Sequence, residues 1–132
     1  MRYLLDTNTC IYLINRRPVS VVQRIQSLPI EDIGICTVTV AELEYGVAKS
    51  LRPEQNRNAL IEFLTPFRIV EFEQTAAFQY GQLRELLERQ GQPIGPMDLL
   101  IAAQALAENV VLVTNNEREF GRVPELTVEN WV

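Results

Sequence analysis

The sequence predicts an α/β fold of three layers: a central, mostly parallel sheet of about four to five short strands flanked by helices. Two observations predict it. Short apolar runs alternate with amphipathic stretches along the whole chain, the pattern of strands that return through helices. The run VVLVT at 110–114 is strongly β-prone, while the alanine-rich stretch at 96–108 is helical. The chain has 132 residues, of which 47% are hydrophobic and 22% charged. That size and balance suit one folded domain over 1–132, with a real core.

The elements follow in order. Residues 2–6 read as the first strand. Residues 9–14 and 18–28 read as helices, with Pro18 suited to a first turn, where its missing N–H has no helical partner to lose. Residues 33–36 (IGIC) form a second strand, 40–50 and 53–64 two helices, and 67–70 (FRIV) a third strand. A long helix over 74–90 is closed by Gly91, which can adopt the left-handed conformation of a helix end. The helix at 96–108 leads into the strand at 110–114. Residues 126–128 give a last short edge strand. There is no repeat, low-complexity tract or linker.

Absences narrow the chemistry. The chain has no histidine, which excludes His-based acid–base catalysis, His–Cys zinc sites and Ser-His-Asp triads. Lys49 is its one lysine, so there is no phosphate-binding loop of the GxxxxGK[ST] type. Cys10 and Cys36 sit among apolar or small neighbours and read as buried thiols of a reducing cytoplasm. No apolar run reaches the ~20 residues that span a bilayer, and the N-terminus lacks the features of a signal peptide. The formal net charge of −5 argues against a protein that coats nucleic acid. It leaves room for a nuclease, because bound cations invert the sign of an acidic site.

The remaining candidates are carboxylates. In a parallel sheet, ligands bind at the carboxyl ends of the strands, where the N-termini of the returning helices also lie. Asp6 ends the first strand on that edge; its plainer reading is a cap for the next helix. Glu42 fits a capping box, Thr39-Val40-Ala41-Glu42, and also heads a helix on that edge. It shares a stripe with Gly46 and Lys49, and Gly46 suggests a close approach of backbone or ligand. Asp98 stands three residues into the helix begun by Pro96, where the positive helix end favours it. Asn115 and Asn116 follow a strand and supply neutral donors and acceptors, with Glu119 one turn beyond Asn116. Three carboxylates meeting without a cation would repel by about 4 kcal/mol per pair at 4 Å. A hard cation such as Mg²⁺ or Mn²⁺, with oxygen ligands, removes that conflict.

The segments LLDTN, SVVQRI, TVTVAELEYGVAKS, GQPIGPMDLLIAAQALAENVVLVTNN and REFGRVPELTVENW together resemble the PIN-domain nucleases. They look closely like the VapC toxins of type II toxin–antitoxin modules. The resemblance runs from Leu4 to Trp131 and includes the spacing of Asp6, Glu42 and Asp98. It implies a PIN-like fold and an endoribonuclease that hydrolyses RNA, tRNA first among the classes, through Mg²⁺-activated water. It implies Asp6 and Asp98 as metal ligands, with Glu42 completing the acidic cluster. Where many members carry Thr-x-Asp, this chain has Thr114-Asn115-Asn116, so Asn116 would orient a ligand or water and Glu119 would supply the charge. Asn8 and Thr114 are further orienting positions, and Lys49, Arg118 and Arg17 are candidate phosphate contacts. The resemblance also implies a homodimer, a VapB-type antitoxin that plugs the groove and forms a larger hetero-oligomer, and operator DNA reached only through that antitoxin. The rival reading is a non-catalytic α/β interaction module. Aspartyl phosphotransfer is disfavoured, since Asn8 stands where a second aspartate is needed.

Overall fold

A computed structural model describes residues 1–132. Five parallel strands, β1 (Tyr3–Leu5), β2 (Ile33–Cys36), β3 (Arg68–Val70), β4 (Val111–Val113) and β5 (Val128–Glu129), form one sheet in the order β3-β2-β1-β4-β5. Seven helices connect them: α1 (Thr7–Asn15), α2 (Val19–Gln26), α3 (Thr37–Ala48), α4 (Pro53–Leu64), α5 (Gln74–Arg89), α6 (Pro96–Glu108) and α7 (Glu117–Phe120). A turn of 3₁₀ helix at Ile30–Asp32 precedes β2. No helix is long and apolar enough to cross a membrane.

Side-chain alternation along the strands divides the core into two layers. Leu4, Cys36, Val70 and Leu112 pack with Leu83, Leu87, Leu99, Ile101 and Ala102 of α5 and α6. Tyr3, Leu5, Ile33, Ile35 and Val113 pack with Cys10, Val21, Leu43 and Leu60 of α1–α4. Both cysteines are free and buried, one in each layer.

The strand order creates one special place. The chain starts in the middle of the sheet, builds β2 and β3 on one side, then crosses over to build β4 and β5 on the other. The connections leaving β1 and β4 therefore part in opposite directions and open a crevice at the carboxyl ends of those two strands.

Several boundaries differ from the sequence reading, for local reasons. α1 begins at Thr7 rather than 9, because Asp6 caps it directly. α3 begins at Thr37 rather than 40, because Cys36 both ends β2 and serves as the N-cap, with no loop between. β5 lies two residues later than expected. Leu126 turns into the core, and the backbone of Thr127 and Glu129 accepts from Leu112 and Thr114 instead. Pairing to β4 thus overrides the weak strand preference of glutamate. Gly91 ends α5 at φ +68°. Its N–H donates to the Glu88 carbonyl at 3.1 Å, and that of Gln92 to Leu87 at 2.8 Å, the paired bonds of a Schellman end.

Candidate active site

Register sets the first pair. Leu4 lies beside Leu112 and Leu5 beside Val113, so the next residues out are Asp6 and Thr114, both buried. The Asp6 N–H donates to the Val113 carbonyl at 3.1 Å. Asp6 Oδ1 accepts the Thr9 N–H at 2.8 Å, and the Thr9 hydroxyl donates to the Val113 carbonyl at 3.1 Å. Asp6 is therefore a helix cap, and the start of α1 is tied across to the end of β4. Burial raises the Asp6 pKa; hydrogen bonds from Thr114 and Thr9 oppose the rise, and the charge of Glu42 adds to it.

Glu42 is not part of a capping box. Thr39 is buried at the third position of α3, with its hydroxyl 3.5 Å from Cys36 Sγ, and Glu42 sits at the sixth. Its Oε1 instead accepts the hydroxyl of Thr7. Thr7 was not singled out from the sequence, although standing between Asp6 and Asn8 was the available signal. The expected close approach at Gly46 is also absent: a Cβ built there meets nothing within 4 Å.

Asp98 is the third residue of α6, after Gly95 as N-cap and Pro96 as N1. Its carboxyl is pushed up to about 7, first by burial and then by the charges of Glu119, Asp6 and Glu42. Glu119 arrives on α7. Asn116 caps that helix, its Oδ1 accepting the Glu119 N–H at 3.4 Å, while its own N–H donates to the Thr114 hydroxyl at 3.0 Å. Glu119 Oε1 takes the Gly95 N–H, and its Oε2 takes Asn116 Nδ2 at 2.9 Å. Those bonds, the Gly95 N–H foremost, lower the Glu119 pKa. Arg122 adds a second brace, donating to the Pro93 carbonyl at 2.8 Å. α7 is thereby fastened to the entrance of α6.

Four acids from distant segments, Asp6, Glu42, Asp98 and Glu119, thus share the crevice, and the charges of the other three add to the proton affinity of Asp98. The other candidates are scattered. Asn8 is exposed at the second position of α1, and Arg118 is exposed on α7. Lys49 lies two turns beyond Glu42, with Nζ 4.8 Å from the Tyr45 ring centre. Arg17 lies past the far end of α1, about 14 Å of helix away from Asp6, and is not brought to the crevice.

No three carboxylates stand close enough to chelate an ion as they are. Three of the four are held by protein donors: Asp6 by Thr9, Glu42 by Thr7, Glu119 by Gly95 and Asn116. Asp98 has no such donor, only the acidic Glu119 beside it. An all-oxygen donor set, crowded with like charge and lacking histidine, fits a hard divalent cation.

Comparison with known proteins adds the following. The PIN domain family matches residues 3–126. Ribonuclease VapC2 of Rickettsia felis is 48% identical over 132 residues, covering 99% of this chain and 98% of that protein. The tRNA(fMet)-specific endonuclease VapC of Salmonella typhimurium is 39% identical over 131 residues, covering 99% and 98%. Among solved structures, Rickettsia felis VapBC2 bound to a DNA fragment from its promoter matches with a TM-score of 0.93 at 46% identity, covering 100% of both chains.

Proposed function

Because this chain belongs to the PIN-domain family, we propose that it is the endoribonuclease toxin of a VapBC-type toxin–antitoxin module. It acts as a single catalytic domain over 1–132, in the cytoplasm. The observation that carries this reading is Asp98. Structural hydrogen bonds account for the other three acids, but Asp98 gains no donor and is held near pKa 7 first by burial and then by its acidic neighbours.

Asp6 and Asp98 would hold Mg²⁺, for which Mn²⁺ can substitute. Such a cation supplies an activated water and neutralises charge on the scissile phosphate. The rest is done by the chain. Glu42, with Oε1 fixed by Thr7, keeps Oε2 free to accept the proton of the attacking water, the role that histidine fills elsewhere. Glu119 and Asn116 hold Asp98's helix against the end of β4, so the acids keep their spacing. The products are a 5′-phosphate and a 3′-hydroxyl. RNA is the substrate, tRNA the leading class, as the name of the Salmonella relative suggests. The partners are a VapB-type antitoxin and a second copy of the chain, with operator DNA engaged through the antitoxin.

The test uses antitoxin-free protein, recovered through unfolding and refolding and incubated with total RNA in Mg²⁺ or EDTA. Discrete cuts that need Mg²⁺ and vanish in Asp6→Asn support the reading. Folded, Mg²⁺-loaded protein that leaves every RNA class intact overturns it.

A further inference from the structure

Thr114 is buried against Asp6, whereas Asn115, in the bend after β4, is exposed and reaches α1. Asn115 Nδ2 donates to the Tyr12 hydroxyl at 3.2 Å. Asn115 Oδ1 accepts from Asn130 Nδ2 at 3.2 Å. Asn130, just past β5, also donates to Glu117 Oε2 at 3.3 Å, and its Oδ1 accepts the Val132 N–H at 3.0 Å. Side chains from α1, the turn after β4, α7 and the segment after β5 thus join into one polar ledge beside the acids. Neither the core nor the cleavage chemistry uses it, and Asn115 is exposed.

An amide has two N–H donors and two acceptor lone pairs. Asn115 uses one of each within the ledge. One N–H and one lone pair remain, on a side chain that the ledge holds in place. The Tyr12 hydroxyl, which accepts from Asn115, keeps its own proton to donate. An adjacent donor and acceptor complement the ring nitrogen and exocyclic amino group of adenine or cytosine, as in bidentate amide–base pairs. Unpaired bases present those edges, whereas a duplex conceals them. Charge favours the same approach. Residues 1–68 hold eight basic and seven acidic side chains, but 69–132 hold four and ten. A polyanion is repelled less over α1–α4, where the ledge faces, than over α5 and α6.

The geometry points to Asn115, braced by Tyr12 and Asn130, as the residue that reads an unpaired adenine or cytosine next to the scissile phosphate. This rests on the ribonuclease reading above. The experiment uses a pool of single-stranded oligoribonucleotides of random sequence, cleaved in Mg²⁺, with the product ends sequenced. Wild type is compared with Asn115→Leu and with Asn115→Asp. The second keeps the shape and removes both donors, so it reports even where the first fails to fold. The readout is the base preference among products, not the rate. Wild type is expected to favour adenine or cytosine at one position near the cut by about tenfold, and the variants to lose most of that preference. Wild-type cuts with no preference near the break, or variants that retain it, overturn the assignment and leave the ribonuclease standing. A wild type that cuts nothing removes the ribonuclease reading and this assignment with it.

Discussion

Asp98 carries its proton up to about pH 7 in the folded chain, but only to about pH 4 when unfolded. Between those values the folded state binds more protons, so stability falls as pH rises through that window. Thermal melts in EDTA should show Tm dropping from pH 4 to 7, with Asp98→Asn flattening the drop. Asp6, also raised, leaves a residue of the slope. If Asp98→Asn melts with the wild-type slope, the crowding argument is wrong. Glu42 gives a second test. Glutamine still accepts from Thr7, so Glu42→Gln should fold normally and cut RNA about 10²–10³-fold more slowly in single-turnover assays. Full activity would remove Glu42 from the reaction. At this scale the sequence was readable wherever a residue's position in an element sufficed, as for Asp6 at a strand end. It was not readable for Thr7 and Gly95, whose roles come from partners 35 and 24 residues away.

Among the elements, α1 separates capping from chemistry. Asparagine caps a helix as well as aspartate does. Asp6→Asn should therefore keep its stability and lose cleavage, whereas Asp6→Ala should lose cleavage and about 1 kcal/mol besides. Urea unfolding of both variants decides it, and an equal loss in the two would show that the cap is idle. At the end of α5, Gly91→Ala should cost about 1 kcal/mol. Its φ of +68° strains a Cβ although space is open around it. Unchanged stability would mean that the turn adapts. α4, α6 and β2 have the bounds expected from sequence, since a proline or a polar break marks each start. The sequence pattern places the starts of α1 and α3 too late, because no loop separates them from their strands. α7 is absent from the sequence pattern, since its four residues carry too little periodicity to declare a helix.

The whole molecule was the most legible level. Alternating strands and helices fix a parallel sheet, and a parallel sheet fixes the edge where acids gather. Which strands flank the crevice was not legible, because strand order depends on how α5 and α6 cross the sheet, not on any local pattern. That crossing is held by the layer around Leu112, which is fully buried in β4. Leu112→Ala should cost about 2–5 kcal/mol, a large share of the ~5–15 kcal/mol expected for a domain. Denaturant titration measures it, and a loss below 1 kcal/mol would show that the layer repacks freely.

The chain lays down β1, with Asp6, first, yet β1's neighbour β4 and the brace α7 come only after residue 110. A nascent chain on the ribosome therefore carries Asp6 and Glu42 well before Asp98 and Glu119 join them. The crevice closes only once the residues beyond 110 have emerged. An enzyme that attacks RNA is in this way kept harmless to the machinery that is still making it.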